Sequence, residues 1–269
     1  MKLNGILVCM IMLGFNLFGQ EGLEGIKLEK YYVSTKKDNG KKHLSGELPV
    51  GSTTYRMYVD LAPGYRFIAA FGSPGHPLEI RSTQNIYNHV ENGATYPIRI
   101  PERTYKKNIV ALDSWVTVGP AGENYLGVLK EADTLKDFGT VVPFERGFLE
   151  SDKNEMGYPL RERDGFLRSE HIPDITLYNI DSNLRVLGME TIGKTFRIEN
   201  GAWASMGKGV CGVDSLGSNT VLIAQITTKG ELSYELNFLI GTPDGKTIKY
   251  VAKDAVENER IHPALLSTH

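Results

Sequence analysis

The stretch VLIAQITTKGELSYELNFLIGTPDGKTIKYV, residues 221–251, decides the fold class. Residues 221–226 are apolar but for Gln225, the pattern of a strand buried on both faces. Residues 227–231 read as a turn. Beyond them Leu232, Tyr234, Leu236, Phe238 and Ile240 recur at every second position, which places them on one face of a strand. Pro243-Asp244-Gly245 sets a glycine where a tight turn needs positive φ, and residues 247–251 then pair back. Three strands and two short turns predict an antiparallel meander.

The same alternation continues upstream. In TTYRMYVDL (53–61), Tyr55, Met57, Val59 and Leu61 share one face and Arg56, Tyr58 and Asp60 the other, which predicts a half-buried strand. RFIAAFG (66–72) follows a Pro63-Gly64 turn, and LEIRS (78–82) follows Ser73-Pro74-Gly75. NIVALDSWVTV (108–118) is dense in β-branched residues and reads as a return to sheet. Between these lie a long loop over 85–107, a helical turn over 130–136, a brief strand at Val141 and Val142, and a charged excursion over 151–174. No long helical period occurs. The expectation is therefore an all-β fold: an antiparallel β-sandwich with long loops and little helix, formed by one composite domain over 51–265. A polar segment over 21–50 precedes it, with an edge strand at Tyr31 and Tyr32.

The first twenty residues read as a secretory signal peptide. Lys2 supplies the positive start, GILVCMIMLGFNLF (5–18) the apolar stretch, and Gly19 the small residue before Gln20. That stretch is shorter than the ~20 apolar residues that span a bilayer. Cys9 lies inside it behind Val8, where acylation would want a small residue. After cleavage no transmembrane segment is expected, and the protein is read as secreted: extracellular, periplasmic or on the outer surface. One cysteine, Cys211, then remains, which excludes an intrachain disulfide. The net charge of −2 and the absence of a basic stripe argue against nucleic acid. Lys36, Lys37, Lys41 and Lys42 flank Asp38-Asn39-Gly40 and read as a solvated turn.

Several phrases occur together in this order: YRMYVDLAPGYRFIAAFG (55–72), LDSWVTVG (112–119), VLIAQITTKGELSYELNF (221–238) and HPAL (262–265). They resemble a β-rich module of exported proteins in Bacteroidota. The resemblance implies export and a single composite fold over roughly residues 50–265. It implies no activity.

Catalytic motifs are not evident. The six histidines, at 43, 76, 89, 171, 262 and 269, are scattered singly and read as loop or surface residues, without the spacing of metal ligands. The nearest phrase to a nucleophile elbow, GVDSLG (212–217), is one residue too long. Cys211 reads as a lone buried thiol. Asp60 and Asp113 are the carboxylates to consider for glycoside hydrolysis. Asp113, at the start of the Asp-Ser-Trp corner, is better read as an acceptor of backbone N–H groups. No cofactor and no metal are expected. The aromatic residues suggest binding instead, because pyranose C–H faces stack on exposed rings. Trp115 reads as core. Tyr87, Tyr96 and Tyr105 in the long loop, with Trp203 in GAWASMG, are the candidate binding residues. The expected function is thus a non-catalytic envelope or extracellular binding or adhesion module, for a glycan or another surface polymer or protein. The alternatives are an extracellular hydrolase with a site drawn from separated loops, and a structural surface or matrix subunit.

Overall fold

The computed structural model describes residues 22–36, 38, 48–105, 109–130, 165–188, 192–214 and 217–268. The expected signal peptide, the expected brief strand at Val141 and Val142, and most of the expected turn over 130–136 lie outside the described residues, as do 151–164 of the charged excursion. The fold is all-β, with short strands, little helix and almost wholly antiparallel pairing. Among the described residues no helix is long and apolar enough to cross a membrane.

The described residues form four sheets. The first is ordered β1 (Leu23–Val33), β2 (Thr53–Leu61), β12 (Asn219–Thr228), β5 (Trp115–Val116). The second is ordered β16 (Glu259–Ile261), β15 (Thr247–Val251), β14 (Phe238–Gly241), β3 (Arg66–Gly72), β11 (Gly201–Ser205), β9 (Ile175–Tyr178). The third runs β10 (Thr195–Ile198), β4 (Leu78–Ser82), β13 (Leu232–Glu235), β17 (Leu266–Ser267). The fourth is small: β6 (Pro120–Gly122), β7 (Tyr125–Gly127), β8 (Phe166–Arg168). Among the described residues only β15 and β16 pair in parallel.

The strands at 53–61, 66–72, 78–82 and 247–251 fall where their alternation predicts, but two pairings differ from expectation. The meander is the first. β12 does not pair with β13; it lies between β2 and β5 in the first sheet, while β13 pairs with β4 in the third. Only the Pro243-Asp244-Gly245 hairpin joins neighbours, with Gly241 opposite Thr247 and Gly245 at φ +85°. The alternating face of residues 232–240 is indeed apolar, yet the chain changes sheets at Leu236 and Asn237. The second difference is β2, a half-buried strand by sequence. It is central, paired on both sides along its length, and Arg56 and Tyr58 on its polar face are fully buried.

Burial on both faces follows from two apolar clusters. Met57, Val59, Val221 and Ile223 of the first sheet meet Phe67, Phe238 and Ile240 of the second and Leu78 and Ile80 of the third in the larger cluster. Tyr58 and Leu222, at alternate positions and so on the opposite face, belong to the smaller one with Tyr31, Tyr105, Trp115 and Phe166. The segment read as strand over 108–118 mostly fills that smaller cluster. Val110–Leu112 is a 3₁₀ turn entered through Ile109 at φ 61°. Its apolar side chains are buried, but its backbone has no ladder partner, so only Trp115–Val116 pairs.

Candidate functional site

An open cleft of about 420 Å³ lies between the loop over 93–99 and the end of β9 with the turn that follows it. One wall carries Tyr96 and Arg99, and the other Leu177, Asp181 and Arg185. The Arg99 guanidinium sits 4.4 Å above the centre of the Tyr96 ring, an arrangement that fixes its plane. Arg99 and Arg185 are both exposed, and Asp181 is the single carboxylate among the lining residues.

The first wall is held from behind by Asp113. Its fully buried carboxylate accepts the His89 and Ala94 amides, each at 2.7 Å. Burial pushes the Asp113 carboxyl up to about 7, against the opposing pull of the His89, Ala94 and Ser114 amides. The turn is tight enough to require glycine at 93, where a Cβ would fall 2.5 Å from the His89 carbonyl oxygen and 2.6 Å from the Asp113 carboxylate. Asn88 ties the two walls together by donating to the Val186 carbonyl at 2.8 Å. The second wall is the 3₁₀ turn Leu184–Leu187, anchored by Asn183 donating to the Arg197 carbonyl at 2.6 Å.

Behind Asp113 a polar chain crosses the outer face of the first sheet. Gln225 donates to the Asp113 and Ala111 carbonyls at 2.7 and 3.0 Å and accepts from Arg56 Nε at 3.0 Å. Arg56 in turn donates to the Gly165 carbonyl at 2.9 Å, its guanidinium 3.6 Å from the Tyr31 ring centre and 4.6 Å from that of Phe166. A buried guanidinium of this kind is tolerated because Nε and Nη1 find acceptors and its faces lie on aromatic rings. Beside it, burial raises the Glu29 carboxyl above its usual range although Arg56 and Lys130 pull the other way.

The four candidate rings do not form an exposed row. Trp203 is 0 % exposed, Tyr105 1 %, Tyr96 8 % and Tyr87 9 %. Trp203 alternates inward on β11, where Nε1 donates to the Thr117 carbonyl at 3.0 Å and the ring packs on Phe196. Tyr105 donates to the Ala121 carbonyl at 2.9 Å. A ring so buried has no face for a sugar, so the platform expected from the sequence is not formed. Of the four, only Tyr96 lines the cleft, and it does so as a support for Arg99.

Three histidines read as loop or surface residues are buried, and each has a partner in a local turn or an ion pair. His76 meets Glu259 at 2.9 Å, and His89 and His262 accept the Asn92 and Ala264 amides, each at 3.2 Å. Asp60 pairs with Lys27 at 3.0 Å. Neither Asp60 nor Asp113 lines the cleft. Sequence reading missed Arg99, Arg185 and Asp181. Arginines in irregular loops carry no periodic signal, and only the fold brings residues 99 and 185 to one opening. No protein-family model, curated protein or solved structure matches this chain.

Proposed function

We propose that the protein is an exported, non-catalytic binding module that holds the acidic groups of a glycan or similar surface polymer in the cleft of Arg99 and Arg185. The observation that carries this reading is the Arg99 guanidinium, stacked over Tyr96 and open to solvent, opposite a second exposed arginine. A planar guanidinium with a fixed orientation recognises carboxylate or sulfate groups in bidentate fashion. A cleft with one carboxylate among its lining residues suits retention better than hydrolysis, which commonly uses two flanking carboxyl groups. An open, shallow cleft also suits a polymer that enters and leaves along its length.

Uronate-bearing or sulfated glycans should bind on an array, and neutral ones should not. Arg99→Gln and Arg185→Gln, both at exposed positions, should each weaken retention about tenfold, the worth of one charge-assisted hydrogen bond. Binding that both variants leave unchanged would remove this site, and an array without acidic hits would remove the ligand class. Export rests on the leader-like first twenty residues. Mass spectrometry of the secreted form should find its N-terminus within a few residues of Gln20, and an intact Met1 would count against export.

A further inference from the structure

A second cleft, of about 500 Å³, opens where the first, second and fourth sheets meet. Its construction follows from backbone pairing. The segment after β11 adds to β3 through mutual hydrogen bonds between Phe67 and Val210, at 2.7 and 2.8 Å. The segment after β5 runs on along β12, with Thr117 and Gly119 donating to the Ile223 and Leu222 carbonyls. Between these two edges the fourth sheet supplies Leu126 and Arg168.

The chemistry of this cleft is unlike that of the first. Its lining includes Leu126, Val210 and Met206, together with Arg66, Arg168 and His171, and no aspartate or glutamate. Met206 and the neighbouring Val213 are 67 % and 55 % exposed, large apolar surface presented to solvent beside cationic groups. Several basic side chains on other strands are matched: Lys27 with Asp60, Arg81 and Arg197 with Glu79, Lys249 with Glu259, and Lys253 (just beyond β15) with Glu235. Arg66 and Arg168, at the first position of β3 and the last of β8, have no carboxylate partner among the described residues. Two unmatched guanidinium groups at an apolar opening of ligand size define a ligand of opposite charge and mixed character.

We infer that this cleft binds a small amphipathic organic anion, its acid group held between Arg66 and Arg168 and its apolar body lying along Leu126, Val210 and Met206. The site is independent of the polymer cleft and has none of its residues. The volume accommodates a chain of about ten carbons, within the usual ~300–1,000 Å³ range of small-molecule pockets.

Isothermal titration of the folded protein with monomeric decanoate, decanol and acetate tests the inference. Decanoate should bind at one site, with decanol and acetate each at least about tenfold weaker, because either lacks one half of the recognition. Arg66→Gln and Arg168→Gln, at exposed strand ends, should each lower decanoate affinity about tenfold while leaving thermal melting in place. Arg99→Gln should leave it unchanged. The absence of decanoate binding up to its solubility limit would overturn the inference. Equal binding of decanol, indifference to both Arg66→Gln and Arg168→Gln, or sensitivity to Arg99→Gln would do the same. Because the probes and variants differ from those of the polymer test, failure of one site leaves the other to stand or fall by its own result.

Discussion

Asn237 shows how much one side chain organises here. Its amide nitrogen lies 3.1 Å from both the His76 and Pro77 carbonyls and 3.3 Å from that of Phe71, and its side-chain oxygen accepts the Ala252 amide at 3.1 Å. Its own carbonyl accepts the Phe71 amide at 3.0 Å. Asn237 and its partners Phe71, His76 and Pro77 lie at two of the places where the chain passes between the second and third sheets: from β3 to β4, and from β13 to β14. Backbone groups at such crossings leave their ladders and would be buried without partners. Asn237 supplies donors and an acceptor at one point, which neither an apolar residue nor a carboxylate does. Asn237→Ala should therefore destabilise the fold by about 2–4 kcal/mol, the cost of stranding several buried backbone groups. Denaturant melts measure this. A loss under about 0.5 kcal/mol would mean that water replaces the amide without penalty.

At the level of elements, the strands at 53–61, 66–72, 78–82 and 247–251 were legible, those between 120 and 205 were not, and neither were most strand partners. Period-two alternation in residues 53–61 or 232–240 states which side chains share a face, and those side chains are buried together. It does not state which backbone lies alongside. Leu232 and Ile240 keep one parity across the sheet change, because both sheets face the same apolar cluster. The pattern cannot distinguish one long strand from two short ones that meet a common core. The half-buried reading of β2 failed for a related reason. Arg56 and Tyr58 look solvent-facing by type, yet a long polar side chain can lie buried once aromatic rings and carbonyl oxygens surround it. Residues 109–112 failed in the opposite sense, since β-branched residues also pack a compact turn when an apolar cluster lies beneath.

Across the whole molecule, the buried polar chain Gly165, Arg56, Gln225 and Asp113 links the residue before β8, the first sheet and the wall of the cleft lined by Arg99 and Arg185. Little of the candidate site was readable beforehand. The role of Asp113 as an acceptor of amides was, because Asp before Ser in an irregular corner favours that geometry. The arginines were not, because their meeting depends on contacts between distant loops. Burial of its carboxyl makes global stability depend on the protonation of Asp113. Its carboxyl is raised from 3.8 to about 7 in the folded protein, chiefly by burial. Tyr87 and Tyr105, whose charge interactions with Asp113 are repulsive, are themselves pushed upward by burial and stay neutral in this range. Between the two values the folded state binds a proton that the unfolded chain has lost. The contribution of Asp113 to stability is thus full below about pH 4 and is lost as pH rises through about 7. The free energy of unfolding should fall with pH over that window, at up to about 1.4 kcal/mol per pH unit from this group. Asp113→Asn does not titrate, and it turns an N–H donor towards the His89 or Ala94 amide. That variant should be less stable than the parent at pH 5, with a flatter profile between pH 4 and 7. Denaturant melts at half-unit pH intervals on both proteins measure the difference. Parallel profiles would show that the three amides outweigh burial and that the carboxylate is ionised throughout.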